Sequence, residues 1–366
     1  MSKFSRDFCI AHECKEASDF FEDVLCAAER VLFIGTVGLE VSSLYFPMLL
    51  QGSTGVDYRF IVEMRRSVDP RLLELGQRHR AFLEANLGAH RTQFVEVAVV
   101  AAEDGATVAG RNAVNAASQW LSGTYSDVVI DATGMSRGTC FPVIKQAMEI
   151  AARQGANLHV VVAGEKKRTL KIRSETNDRA DWIHGFQGPM GSDKANDIMT
   201  LWVPQLSEHM SGALSRMYPE LQHPSEVCPI LPFPAHDLRR GDNLRSEYRD
   251  ALQNEWEAGS LDLIYAHETN PLDVFRTISK LHDTRKRVFG GTEQLATTVL
   301  SPSGWRVGSI GMLLAAIEHD LPMLYVETVG YSCEGEIPET IEPKVPEVSW
   351  HLWLAGAPYA NATSSL

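Results

Sequence analysis

The sequence predicts an α/β protein built from two doubly wound parallel sheets in tandem. Two stretches, residues 31–163 and 198–326, each alternate short apolar runs with amphipathic segments through about five strands. Each stretch also places a turn rich in glycine and hydroxyl residues after its fourth apolar run, at 130–139 and 300–309. Strands that alternate with helices of this length form parallel sheets with right-handed crossovers. We therefore expect a pseudo-duplicated chain.

In the first half, a helical lead over residues 17–30 precedes a buried strand in which four apolar residues end in glycine. Pro47 interrupts the next helix, and Pro70 opens the one after it, which carries a stripe of leucines at three- and four-residue spacing. The strands of this half are predicted at 31–35, 58–64, 93–100, 127–133 and 158–164. The later helices are predicted at 112–121 and 139–154.

The second half repeats this order. Its second strand is crowded by prolines, which is typical of an edge strand, and Asn270 followed by Pro271 predicts a capped helix start. The strands are predicted at 198–204, 227–233, 261–269, 295–301 and 323–329, and the helices at 208–218, 243–258, from 271 onward and at 307–319.

Four segments follow from this pattern. We predict a first unit over residues 1–164 with its helical lead, a linker at 165–197, a second unit at 198–330 and an extended strap at 331–366. The linker contains a basic run at 166–173 and a glycine-rich stretch, and the strap contains Pro338, Pro343 and Pro346.

Composition excludes several classes of protein. The formal net charge of −13 over 366 residues argues against non-specific nucleic-acid binding. No apolar run is long enough to span a membrane, and the N-terminus is too polar for a signal peptide, so we expect a cytoplasmic protein. Six scattered cysteines without a C-x-x-C pair predict neither a disulfide framework nor a zinc site. We predict no metal, no cofactor and no catalytic residue.

The predicted binding site lies at the carboxyl ends of the strands, where open parallel sheets bind ligands. The two turns after the fourth strands open helices whose free N–H groups and positive dipole ends suit an anion. Arg137 offers a fork for phosphate, and Trp305 offers a ring for a base. The candidate ligand-binding residues are Gly35, Thr36, Gly38, Asp131, Thr133, Gly134, Ser136, Arg137, His267, Ser301, Ser303, Gly304, Trp305 and Arg306.

Simpler interpretations of the same residues stay open. In a purely structural interpretation, Ser136 caps a helix, Arg137 is solvated and Trp305 packs in the core, and none of them binds a ligand. The G-T-V-G-L-E segment at 35–40 lacks the third glycine of a dinucleotide-binding fingerprint. His267 and Glu268 end a strand and could act as acid and base, but no nucleophile or metal motif accompanies them.

Two segments resemble known domains. Residues 297–327, TTVLSPSGWRVGSIGMLLAAIEHDLPMLYVE, resemble the signature of CARF domains, and residues 127–151 resemble the variant with an acidic-small-Ser/Thr-x-x-Arg turn. Two such units in one chain are similar to the SAVED arrangement of bacterial anti-phage signalling. The resemblance implies Rossmann-like units that bind a cyclic oligonucleotide, or a related messenger, where the two units meet. Trp305 and Arg306 stand where the CARF pattern often has Gly-Thr-Lys.

The resemblance implies a nucleotide-messenger sensor that signals to a separate effector protein in anti-phage defence, with homo-oligomerisation open. The alternative is a nucleotide-handling enzyme, either a messenger-degrading ring nuclease or an oxidoreductase with a degenerate dinucleotide site. A third hypothesis is that one half has lost its pocket and serves only as a structural partner.

Overall fold

A computed structural model describes residues 4–165, 170–187, 198–221, 224, 226–289, 295–338 and 340–359. The chain divides into two compact units. Unit 1 comprises residues 1–175 and 328–366, and unit 2 comprises residues 176–327. Both units are built from parallel strands and helices, so the predicted α/β class is confirmed.

Unit 1 contains a seven-stranded sheet with five parallel strands. Across the sheet these are β5 (Thr92–Ala98), β3 (Val56–Met64), β2 (Val31–Thr36), β6 (Asp127–Asp131) and β7 (Asn157–Gly164). In chain order the parallel strands therefore stand 3-2-1-4-5, which places the topological switch point between β2 and β6. All six residues of β2 are buried, as the central strand of a doubly wound sheet requires.

Both ends of the chain join this sheet. Strand β17 (Val348–Ala355) pairs antiparallel with β7, and β1 (Ile10–Glu13) pairs antiparallel with β17. The sequence predicts an extended strap here, but residues 348–355 form a strand because their backbone pairs with the open edge of β7 and their side chains are mostly buried on the faces of the sheet. Sheets of mixed direction with an antiparallel edge strand are common in α/β proteins.

Helices pack on this sheet. They are α1 (Lys15–Phe20), α2 (Tyr45–Leu49), α3 (Pro70–Leu87), α4 (Ala109–Leu121) and α5 (Arg137–Gln154), with a π-helical turn at Phe21–Leu25 and a 3₁₀ turn at Val41–Leu44. The helix predicted over 17–30 is a continuous helical segment at 15–25 that changes from α to π type at Phe21. In the helix that the sequence predicts to be interrupted at Pro47, a 3₁₀ turn runs directly into α2, and Pro47 lies inside α2. One buried cluster joins Phe33, Tyr58 and Phe60 of the sheet to Phe46 and Leu83 of the helices.

A small second sheet of unit 1 contains β4 (Ser67–Val68), β16 (Thr328–Glu334) and β8 (Lys171–Thr176). Strand β8 lies inside the predicted linker, and β16 spans the predicted end of the second unit. Residues 166–169 and 188–197 of the predicted linker lie outside the described residues. The boundaries of the two units therefore differ from the predicted ones. Strand pairing between distant segments sets these boundaries, and local composition does not encode such pairing.

Unit 2 contains parallel strands flanked by helices. Strand β10 (Ile198–Pro204) lies between β11 (Glu226–Val227) and β14 (Leu295–Ser301), and β12 (Ile230–Pro232) pairs with β13 (Ile264–Ala266). Pro229 separates β11 from β12, so the predicted strand at 227–233 is two short strands. Single bridges join residue 205 to 230 and residue 300 to 323. Strand β15 (Leu324–Tyr325) pairs antiparallel with β9 (Asp181–Trp182).

The helices of unit 2 are α6 (Ser211–Met217), α7 (Arg240–Glu247), α8 (Pro271–Phe289) and α9 (Arg306–His319), with a π-helical turn at Ala251–Glu255. The predicted cap of α8 is confirmed, because Asn270 Oδ1 accepts hydrogen bonds from the N–H groups of Leu272 at 2.9 Å and Asp273 at 3.2 Å. Within the described ranges, no helix is both long and apolar enough to cross a membrane.

Candidate functional site

The switch point of unit 1 is closely packed. Gly38, after β2, and Gly134, after β6, approach so closely that a Cβ on Gly134 would lie 3.1 Å from the Gly38 Cα. The Thr36 hydroxyl donates to the Ile61 carbonyl at 2.6 Å, and Gly35 packs against Phe33 within the core. These predicted site residues therefore make internal contacts at the ends of β2 and β6.

The N-terminus of α5 holds a carboxylate of the chain itself. Glu63, at the end of β3, accepts the Ser136 N–H at 2.9 Å and forms an ion pair with Arg65 at 2.6 Å. Burial alone would raise the pKa of Glu63, but Arg65 and hydrogen bonds from Thr139 and Ser136 outweigh it and lower the pKa. An anion thus occupies the place where the sequence predicts a ligand phosphate.

The other predicted residues of this turn also make internal contacts. Asp131 Oδ1 accepts the Thr133 N–H at 2.8 Å, and the Thr133 hydroxyl accepts the Ala163 N–H at 2.9 Å. Ser136 is the N-cap of α5, and its hydroxyl oxygen accepts the Thr139 N–H at 3.2 Å. Arg137 is the half-buried first residue of α5, and its role as a phosphate ligand stays a prediction.

The N-terminus of α9 in unit 2 faces a neutral side chain instead. Gln205, directly after β10, accepts the Gly304 N–H at 3.2 Å and the Ser309 hydroxyl at 3.0 Å through its Oε1 atom. A Cβ on Gly304 would overlap the Gln205 side chain, and one on Gly308 would overlap both Gln205 and the indole of Trp305. The small residues of this turn therefore make room for Gln205 and Trp305.

In the turn between β14 and α9, residues 302–305, two buried polar atoms have no hydrogen-bond partner. They are Ser303 Oγ and Trp305 Nε1. Trp305 is also the N-cap residue of α9, and its side chain accepts no hydrogen bond from the first turn. The Ser301 hydroxyl, in contrast, accepts the Trp202 indole N–H at 2.8 Å, and Arg306 is half-buried at the first helical position.

His267 and Glu268 organise a loop. Glu268 accepts the His236 N–H at 2.7 Å and forms an ion pair with Arg240, so both of its carboxylate oxygens are bonded. His267 Nδ1 accepts the Thr269 N–H at 3.2 Å. A carboxylate held in this way is poorly placed to act as a general base.

The chain matches no protein-family model. No curated protein matches it either. It is similar to a solved triple mutant of a deacetylase (Orf2*T) involved in the teicoplanin biosynthetic pathway, with 14% identity and a TM-score of 0.26 over 42% of this chain and 73% of that one. It is similar to the cytoplasmic domain of a prokaryotic cation chloride cotransporter, with 7% identity and a TM-score of 0.23 over 82% of this chain and 96% of that one. Similarity to E. coli MccB with succinimide has 10% identity and a TM-score of 0.21 over 42% of each chain. Likeness at this level says nothing about activity.

Glu63 and Gln205, which fill the two helix N-termini, were not among the predicted site residues. Glu63 had a weak sequence signal, because it ends the second strand of its unit and thus lies at the same sheet edge as the predicted turn. Gln205 follows Pro204, the last residue of β10, and is a neutral residue at an otherwise apolar strand end. In neither case does the sequence show which helix the side chain reaches.

Proposed function

We propose that the chain is a sensor of a nucleotide messenger and that the anionic part of its ligand binds in unit 2, at the N-terminus of α9. The observation that carries this proposal is the pair of buried, unpartnered polar atoms, Ser303 Oγ and Trp305 Nε1, beside that helix. A buried donor without a partner costs about 1–3 kcal/mol, which a phosphate oxygen accepting from it would recover.

The contrast between the two units supports this choice. The N-terminus of α5 has a serine cap and a carboxylate, Glu63, that complements the positive end of its dipole. The N-terminus of α9 has neither, since Trp305 provides no cap and Gln205 carries no charge. An incoming anion therefore gains more at α9 than at α5, where it must displace a carboxylate.

Conformational change is part of the proposal. Ser303 Oγ and Trp305 Nε1 are shielded from solvent, so a ligand reaches them only when the β14–α9 segment rearranges. A sensor needs two states with different affinity for its ligand, and a segment that pairs its buried donors only with ligand bound provides them. The parallel strands in both units and the CARF-like turns further support tandem, duplicated Rossmann-like units. Following the family resemblance, the output passes to a separate effector protein.

The experiment is a binding test with a panel of cyclic di-, tri- and tetranucleotides, followed by thermal shift, calorimetry and ligand mass. One member should stabilise the protein by about 2.7 kcal/mol at a hundredfold excess over Kd, and its mass should not change. Trp305→Phe, which keeps the ring but removes the N–H, and Ser303→Ala should each weaken binding at least about tenfold, because each removes a donor to a charged group.

The matched control is Ser136→Ala, in the corresponding turn of unit 1. It should lower stability by removing a helix cap but leave the affinity unchanged. Arg137→Ala in the same calorimetry tests the phosphate role predicted for Arg137 in unit 1, which a loss of about 1.5–3 kcal/mol in binding free energy would support. Unchanged affinity in both unit 2 variants would contradict the proposal. Conversion of the nucleotide to linear products would favour the enzyme alternative.

A further inference from the structure

A chain of hydrogen bonds connects four strands in the sheet of unit 1, away from the carboxyl ends of the strands. Asp127 at the start of β6 bonds to His159 of β7, with Oδ1 and Nε2 3.1 Å apart. His159 Nδ1 lies 2.9 Å from Nε2 of His351 on β17. His351 Nδ1 in turn lies 2.9 Å from Nδ1 of His12 on β1. Each link joins neighbouring strands.

The inner part of the chain is shielded from water. His159 and His351 are both 0% exposed, whereas His12 is half-buried at the outer end. The ring of Phe20 stacks on His351 with 4.1 Å between centroids, and Trp353 lies 4.9 Å from His159. Solvent therefore reaches this series of hydrogen bonds at His12.

The hydrogen bonds fix the protons of the neutral chain. Asp127 as a carboxylate only accepts, so Nε2 of His159 carries a proton and Nδ1 of His159 accepts. His351 then donates through Nε2 and accepts through Nδ1, and His12 donates through Nδ1. The one ring nitrogen left to take a proton without breaking a link is Nε2 of His12. Because His351 bonds through opposite nitrogens to two different partners, the three rings do not converge on a metal ion.

We propose that the chain of Asp127, His159, His351 and His12 is an acid-sensitive latch that holds the terminal strands β17 and β1 on the sheet of unit 1. A first proton binds Nε2 of His12 and every link persists. Two proton transfers can then move the charge inward: the Nδ1 proton of His12 passes to Nδ1 of His351, and the Nε2 proton of His351 passes to Nδ1 of His159. Two N–H bonds break and two form, and the positive charge now lies on His159, beside Asp127.

A second proton on a histidine opens the latch. Every remaining ring nitrogen already accepts or donates a hydrogen bond, so the new N–H faces another N–H and one link between strands is lost. Two imidazolium rings in a buried chain also repel each other. Both effects loosen β17 or β1, while the inner strands β2 and β6 keep their pairing with each other.

The surrounding charges are few. The groups that act on the three rings are Glu16 of α1, which acts on His12, Asp127 of β6, and the histidines themselves. Burial lowers the pKa of His12, His159 and His351 below the usual 6.5, most strongly for His351. Unfolded or released histidines therefore bind protons at higher pH than latched ones. The latch is at full strength above about pH 6.5 and weakens as the pH falls.

Hydrogen exchange of the full chain, read by mass spectrometry at about pH 7.5 and about pH 5, tests this latch within the range where histidine changes its charge. After correction for intrinsic rates, protection of residues 348–355 and 10–13 should fall at least about tenfold relative to residues 31–36 of β2, since a hydrogen bond is lost beside a buried charge. In His351→Phe, which removes both links to β17, this ratio should not depend on pH.

The matched control is His90→Gln, which removes an exposed histidine of the same unit and should respond like the wild type. If His351→Phe does not fold, His12→Gln takes its place, because glutamine donates to His351 but cannot take up a proton. In His12→Gln, the protection of β17 and β1 relative to β2 should fall only at a lower pH than in the wild type. A pH-independent ratio in the wild type, or a wild-type response in His351→Phe or His12→Gln, would overturn the latch.

Discussion

At the scale of single residues, charge distinguishes the N-terminus of α5 in unit 1 from the N-terminus of α9 in unit 2. Glu63 brings a negative charge to α5 and pairs with Arg65, whose guanidinium also donates to the Thr328 carbonyl and stacks over Tyr331 at 4.8 Å. Gln205 brings only a dipole to α9. The carboxylate therefore complements the positive end of the α5 dipole, whereas the amide brings no charge to α9.

Glu63→Gln should destabilise the protein by about 3 kcal/mol, because it leaves the buried Arg65 without its counter-charge. Chemical denaturation at neutral pH measures this difference. The pKa of Glu63 is lowered in the folded protein, so its contribution is present above the unfolded value of about 4.5 and is lost as the pH falls through the folded value. The difference in unfolding free energy between Glu63→Gln and the wild type should become smaller below about pH 4.5.

The control for this prediction is Asp19→Asn, which breaks the exposed ion pair between Lys15 and Asp19 on α1. Solvent screens such a pair, so the midpoint of unfolding should not change measurably. Equal stability of Glu63→Gln and the wild type would mean that Arg65 finds another partner and that the ion pair does not fix the N-terminus of α5.

At the scale of elements, the capped start of α5 predicts a local stability effect. Ser136→Ala removes the side-chain acceptor for the Thr139 N–H and should cost about 1 kcal/mol. Ser122→Ala, at the exposed end of α4, should cost less than about 0.5 kcal/mol. Urea denaturation of the two variants compares them. A Ser136→Ala protein as stable as Ser122→Ala would show that Glu63 alone satisfies the first turn of α5.

At the scale of the whole molecule, the two ends of the chain meet in one sheet. Strand β17 brings residues 348–355 beside β7, and β1 has its sheet partner only in β17 among the described residues. Strands β1 and β17 are thus structural parts of unit 1. Unit 2 contains the partners of its own described strands within residues 176–327.

Deletion of residues 345–366 should therefore damage unit 1 selectively. Without β17 the edge of β7 is open and β1 has no partner, so amides in β1 and β7 should lose protection from hydrogen exchange and the protein should self-associate. Amides in β10 and β14 of unit 2 should keep their protection. Unchanged exchange in β1 would show that it has another partner, and equal loss in β10 would contradict the independence of the two sheets.

The α/β class, the positions of the central strands and the helix caps made by neighbouring residues can all be predicted from the amino-acid sequence alone. Apolar runs, prolines and the Asn270 cap act within a few positions of the chain, so the elements that they define can be predicted from local sequence. The positions of Glu63 and Gln205 at the helix N-termini, and the pairing of residues 348–355 with the first sheet, emerge only from the folded chain. It also decided the histidine chain, in which His159 and His351 are 192 positions apart. Such contacts depend on which strands lie side by side, and strand pairing is a property of the whole chain.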